Sequence, residues 1–203
     1  MSILKRIFSS KQNVAPIVVV SGLPRSGTSM LMAMLDAGGI DLISDGLRTA
    51  DEDNPKGYYE LEKVKKLDKT ADKSWLEKAA GKGIKVISFL LEHLPDTYQY
   101  KIIFMRRELS EVLASQKKML ENRSEQPSDI SDKEMAALFS THLEKVYAQL
   151  TERSNCDVLY IDHREALNSP EEIATRINTF LENKLDVTAM TKTVDRQLYR
   201  NRA

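Results

Sequence analysis

Apolar and polar positions follow two rhythms along this chain. "PIVVVSG" (Pro16 to Gly22) is an unbroken apolar run, the pattern of a buried central strand. From Gly27 the spacing becomes helical, with Met30, Leu31, Met34 and Leu35 on one face and a stop at Gly38-Gly39. "GIKVISF" (Gly83 to Phe89), "YKIIFMR" (Tyr100 to Arg106) and "DVLYID" (Asp157 to Asp162) predict three more strands. Helical patterns fill the gaps. Glu108 to Leu120 turns Leu109, Val112, Leu113 and Leu120 inward, and Asp132 to Leu150 does the same with Phe139, Leu143, Val146 and Leu150. "SPEE" (Ser169 to Glu172) predicts a capping box with proline at the first helical position. The helix it opens buries Ile173, Ile177, Phe180 and Leu181. Short apolar runs alternating with helices predict an α/β fold, a central parallel sheet flanked by helices.

Neither an internal repeat nor a linker divides the 203 residues, so the expectation is one domain over 1–203, with 1–14 a loosely attached arm. "RSEQPSDISD" (Arg123 to Asp132) is polar and proline-bearing and reads as a mobile connecting loop. Composition changes the picture only by exclusion. Thirty basic and thirty acidic side chains cancel, which argues against nucleic acid or an anionic membrane as partner. A single cysteine, Cys156, excludes an internal disulfide framework and a Cys-rich metal site. "MSILKRIFSSKQNV" is too short and interrupted for a signal peptide, and no run reaches membrane-spanning length. The expected protein is reduced, cytoplasmic, and a monomer or homodimer.

The chemistry concentrates in "VVVSGLPRSGTSM" (Val18 to Met30). A strand running into a glycine-bearing turn and then a helix aims backbone N–H groups, and the positive end of the helix dipole, at one point. Gly22 and Gly27 permit close approach; Ser26, Thr28 and Ser29 add hydroxyls; Pro24 stiffens the turn; and Arg25 brings a planar, permanent cation. This is an anion cradle. A nucleoside-triphosphatase loop would continue after its second glycine with lysine, where Thr28 stands here. The strand "YKIIFM" ends in Arg106-Arg107, and only Asp162, late in the chain, offers a strand-end acid for magnesium. A loop without its lysine or a well-placed metal ligand predicts a metal-free reaction.

"GLPRSGTSML" (Gly22 to Leu31) resembles the 5′-phosphosulfate loop of sulfotransferases that use 3′-phosphoadenosine 5′-phosphosulfate, PAPS. Such enzymes carry, after a later strand, an Arg and a Ser eight residues apart that grip the 3′-phosphate; "RELSEVLAS" supplies Arg107 and Ser115 at that spacing. Weaker likenesses to short, bacterial-type members cover "DNPKGYYE" (Asp53 to Glu60), Cys156 to Glu182 and the basic ending "VDRQLYRNR" (Val194 to Arg202). In that ending, Tyr199 and Arg200 are the candidates to close over the nucleotide. The resemblance implies a P-loop-type three-layer α/β/α fold, PAPS as sulfuryl donor without a metal, and a small-molecule or carbohydrate acceptor.

The chain departs from the cytosolic phenol and steroid sulfotransferases at their Lys-x-His: Lys85-Val86-Ile87 keeps the lysine and lacks the histidine. His93, His142 and His163 fall elsewhere and receive no catalytic role. In Golgi-type and related bacterial members the base is a glutamate. By that likeness Glu60 is the candidate base, with Glu62 and Asp45 as alternatives, and Arg25 and Lys85 stabilise transferred charge. Two other readings stay open: a small-molecule kinase on a degenerate P-loop, and a non-catalytic nucleotide-binding protein.

Overall fold

A computed structural model of the chain describes residues 14–47, 57–124 and 130–196. Four parallel strands form one sheet in the order β2-β1-β3-β4: β1 Ile17–Gly22, β2 Gly83–Lys85, β3 Tyr100–Arg106 and β4 Cys156–Asp162. Alternation along each strand divides the core. Ile17, Val19, Ile84, Tyr100, Ile102 and Phe104 pack on one face, with Val146 and Leu150 of α4 (Asp132–Glu152) against them. Val18, Val20, Ile103, Met105 and Ile161 face the other side. There α1 (Thr28–Ala37), α6 (Pro170–Phe180) and α7 (Val187–Lys192) bring Leu31, Met34, Leu35, Ile173, Ile177 and Met190. The remaining helices are α2 (Glu62–Lys65), α3 (Leu109–Asn122) and α5 (His163–Asn168), with 3₁₀ turns at Ser74–Ala79 and Ser88–His93. The architecture is a parallel sheet covered on both faces, as the alternating pattern predicts.

Strand order positions the site. β1 continues to β2 on one side of itself and has β3 on the other, so the carboxyl ends of β1 and β3 are the switch point at which open α/β sheets place their ligands. Register carries the two strand ends there together, with Gly22 opposite Met105. A Cβ on Gly22 would lie 2.7 Å from the Met105 carbonyl oxygen, so this approach requires glycine.

Several expectations need correction. β2 stops at Lys85, not Phe89. After Val86 N–H donates to Val20 O at 3.0 Å the chain itself leaves β1 and enters the 3₁₀ turn Ser88–His93, while β1 stays paired with β3 from Ile17 to Gly22. "SPEE" starts α6 but makes no side-chain cap. Ser169 also ends α5, donating its N–H to Glu165 O at 2.8 Å, and its backbone (ψ 59°) misses the extended cap conformation. The capping box belongs to Ser131 and Glu134 at the start of α4, with Ser131 inside the stretch expected to be a mobile loop. Leu109, Leu113, Leu120, Met30, Phe139, Leu143 and Phe180 are half-buried rather than buried. On α3 the fully buried positions are Glu111, Val112 and Ser115, two of them polar.

Candidate functional site

The loop after β1 takes backbone conformations that explain its sequence. Gly22 lies at φ +148° and Gly27 at +103°, and Arg25 occupies the left-handed region at +67°. Ser26 N–H donates to Leu23 O at 3.1 Å, closing the turn. Gly27 also packs tightly, since an added Cβ would lie 2.6 Å from Cδ2 of the His163 ring. The first N–H groups of α1 have no carbonyl one helical turn earlier and point into the turn. Ser26 and Thr28 are buried, Pro24 is exposed, and Arg25, Gly27 and Ser29 are half-buried. The Ser26 hydroxyl is buried with no protein partner among the described residues, a situation that is rare unless a ligand or water completes it.

Helix α3 delivers the second motif to the same place. Arg25 Nε donates to Ser115 Oγ at 3.0 Å across ninety positions of sequence, and Arg107 Nη1 donates to the carbonyl of Arg25 at 3.0 Å. The structure therefore brings both Arg107 and Ser115 against Arg25. Beneath them lies Glu111, fully buried, which accepts from Arg107 Nε at 3.0 Å and from Arg164 at 3.0 and 2.7 Å. His163, at the end of β4, completes the cluster. Burial, together with the nearby Arg107 and Arg164 cations, lowers its pKa to about 4 against the opposing pull of Glu111, so it is neutral near pH 7. Sequence reasoning gave Glu111, Arg164 and His163 no role. The i,i+4 spacing of Arg107 and Glu111 was a readable signal for the first; Arg164 and His163 needed the tertiary fold.

On the other side of the loop, Lys85 Nζ donates to Ser29 Oγ at 3.1 Å and to the Tyr58 carbonyl at 2.8 Å. One ammonium thus ties the loop helix to the segment that carries Glu60. The Glu60 carboxylate is 21% exposed and pairs with Lys65 at 3.0 Å, and Lys65 also holds the more exposed Glu62 at 2.7 Å. Asp45 has a structural task. It accepts from the N–H groups of Glu62 (2.6 Å) and Leu47 (3.1 Å), and these bonds hold its carboxyl below the usual range. Where a nucleoside triphosphatase would use an acid, β3 ends in arginine, and Asp162 is engaged by Arg106 at 2.6 Å. Tyr199 and Arg200 lie outside the described residues.

The donor set fits a phosphate or sulfate ester: helix amides, buried hydroxyls, and Arg25 and Arg107 side by side. No family model matches the chain, and no curated protein matches it by sequence. Solved structures do resemble it. A mouse sulfotransferase, SULT7A1, complexed with PAP superposes with a TM-score of 0.51 at 18% identity, covering 89% of this chain. The chain spans 62% of that protein's length. A sulfotransferase domain from the curacin biosynthetic pathway gives 0.49 at 14% identity, over 90% of this chain and 78% of the other. A sugar kinase from a Janibacter species gives 0.41 at 13%, over 83% and 95%. The first of these likenesses establishes the fold: this chain has the α/β architecture of the mouse protein. Among the described residues no helix is long and apolar enough to cross a membrane.

Proposed function

We propose that this chain is a sulfotransferase, moving a sulfuryl group from PAPS to the hydroxyl or amine of a small-molecule or carbohydrate acceptor without a metal ion. The observation that carries the reading is the meeting of two motifs far apart in sequence. Arg25 of the loop bonds Ser115, and Arg107 bonds the Arg25 backbone, each at 3.0 Å. A single 5′-phosphate would need only the loop. A second cation and hydroxyl beside it suit a ligand with a second phosphate.

When bound, the donor supplies an activated sulfuryl group, joined through a bridging oxygen to the phosphate of the nucleotide that leaves as the acceptor oxygen bonds sulfur. The residues divide the remaining work. The loop amides of Gly22 to Ser29, with the hydroxyls of Ser26, Thr28 and Ser29, hold the phosphosulfate, and Arg107 with Ser115 holds the 3′-phosphate. Arg25 and Lys85 meet the charge that grows on the departing oxygens, where fixed cations act most strongly. A Glu60 carboxylate oxygen, 3.0 Å from Lys65, takes the acceptor proton. Asp45 is committed to backbone N–H groups and is the poorer base.

Incubating the protein with sulfur-labelled PAPS and a panel of phenols, alcohols, amines and oligosaccharides, with EDTA present, tests the reading. Label should move to at least one acceptor class. Absence of transfer across the panel, together with magnesium-dependent phosphorylation from ATP, would replace it with a kinase.

A further inference from the structure

We infer that Glu111 is a positioning residue of the nucleotide site: its buried carboxylate fixes the Arg107 guanidinium, and through it the Arg25 backbone, in the geometry the anion-binding loop requires. The inference rests on the reading of Arg107 given above.

The two carboxylate oxygens of Glu111 divide their partners. Oε2 accepts from Arg107 Nε at 3.0 Å, and Oε1 accepts from Arg164 Nε and Nη2 at 3.0 and 2.7 Å. The Glu111 side chain is 0% exposed, while Arg107 is 9% and Arg164 55% exposed. A buried carboxylate with one surface partner would be a liability, and two guanidiniums make this one tenable. They also leave the cluster with excess positive charge, which suits an anion site.

Geometry decides what the pair does. A guanidinium is planar and rigid, so anchoring Nε to Glu111 and Nη1 to the Arg25 carbonyl fixes both its plane and its rotation. Arg25 is a non-glycine residue at φ +67°, a conformation that persists only when its surroundings hold it. One turn beyond Glu111 on the same face of α3, Ser115 takes the Arg25 side chain. The loop is therefore clamped from a single helix face, by its backbone through Glu111 and Arg107 and by its side chain through Ser115.

Two measurements on Glu111→Gln test this. The first is amide hydrogen exchange of the ligand-free protein. Removing the charge should speed exchange of the Ser26 to Ser29 amides about tenfold or more while α6 stays protected. The second is calorimetry: the preference for adenosine 3′,5′-bisphosphate over AMP should fall about tenfold or more. If Glu111→Gln does not fold, Glu111→Asp decides by the same readouts, because it keeps the charge but cannot span both arginines. Unchanged loop exchange, or a preference within about twofold of the unaltered protein, overturns the inference. An unaltered protein without any preference for the bisphosphate refutes the sulfotransferase reading instead, and loop exchange still decides whether Glu111 holds the loop.

Discussion

Replacing Gly27 by alanine perturbs the loop in two separable ways, and the structure gives a magnitude to each. Gly27 sits at φ +103°, where an L side chain is strained by about 1–2 kcal/mol. The new Cβ would also lie 2.6 Å from Cδ2 and 3.2 Å from Nε2 of His163, a ring only 7% exposed and unable to swing away cheaply. Overpacking of that kind costs about 1–3 kcal/mol. Together the two terms reach about 2–5 kcal/mol, which at about 2–4 °C per kcal/mol lowers Tm by about 4–20 °C. Gly39 provides the control: its φ is +97°, yet nothing lies within 4 Å of its Cβ position. Gly39→Ala should therefore show the strain alone, about 2–8 °C. Thermal unfolding of both variants, and of Gly27→Ala combined with His163→Ala, makes the comparison. The double variant should recover about 1 kcal/mol or more through coupling. Equal losses for Gly27→Ala and Gly39→Ala, with no coupling to His163, would refute the claim that His163 buttresses the loop.

Arg107→Ala should remove most of the preference for adenosine 3′,5′-bisphosphate over AMP, a loss of about 1.5–3 kcal/mol by titration calorimetry. Glu60→Gln should cut sulfuryl transfer by about two orders of magnitude or more while leaving bisphosphate affinity unchanged; full turnover would move the base to Glu62. His163 has a folded pKa depressed to about 4, so the unfolded chain binds its proton first and stability falls as pH drops from about 6.5 toward 4. Denaturant melts across that window should show the slope, and His163→Gln should flatten it. Asp45, depressed by the Glu62 and Leu47 N–H bonds, stabilises its turn above the ordinary carboxylate range and loses that as pH falls through its folded pKa. An NMR titration placing Asp45 at an unshifted value would contradict the assignment of these backbone bonds.

Local sequence carried the fold wherever one signal acted without competition. β3 has the predicted bounds because Tyr100 to Arg106 is an apolar run paired along its whole length, and α1 stops where Gly38-Gly39 says it should. β2 is shorter than its apolar run because the chain departs from β1 after Val86 into the 3₁₀ turn Ser88–His93, and Val86, Ile87 and Phe89 stay apolar across that point. Ser-x-x-Glu occurs at Ser131 as well as at Ser169. Only the fold reveals that Ser169 is shared between two helices whereas Ser131 is at liberty to cap. The loop was legible from its own residues, while Arg107 and Ser115 were named through the resemblance to sulfotransferases; the structure sets both against Arg25. Arg164 and His163 join the site only through the tertiary fold, and of Glu111 the sequence shows the i,i+4 spacing to Arg107 but not the burial.

Titration calorimetry of adenosine 3′,5′-bisphosphate against AMP, and against ATP with magnesium, tests the central claim most directly. The account predicts that the bisphosphate binds at least about tenfold more tightly than AMP, with or without EDTA. Equal affinity for AMP and the bisphosphate, or tighter magnesium-dependent binding of ATP, would contradict it.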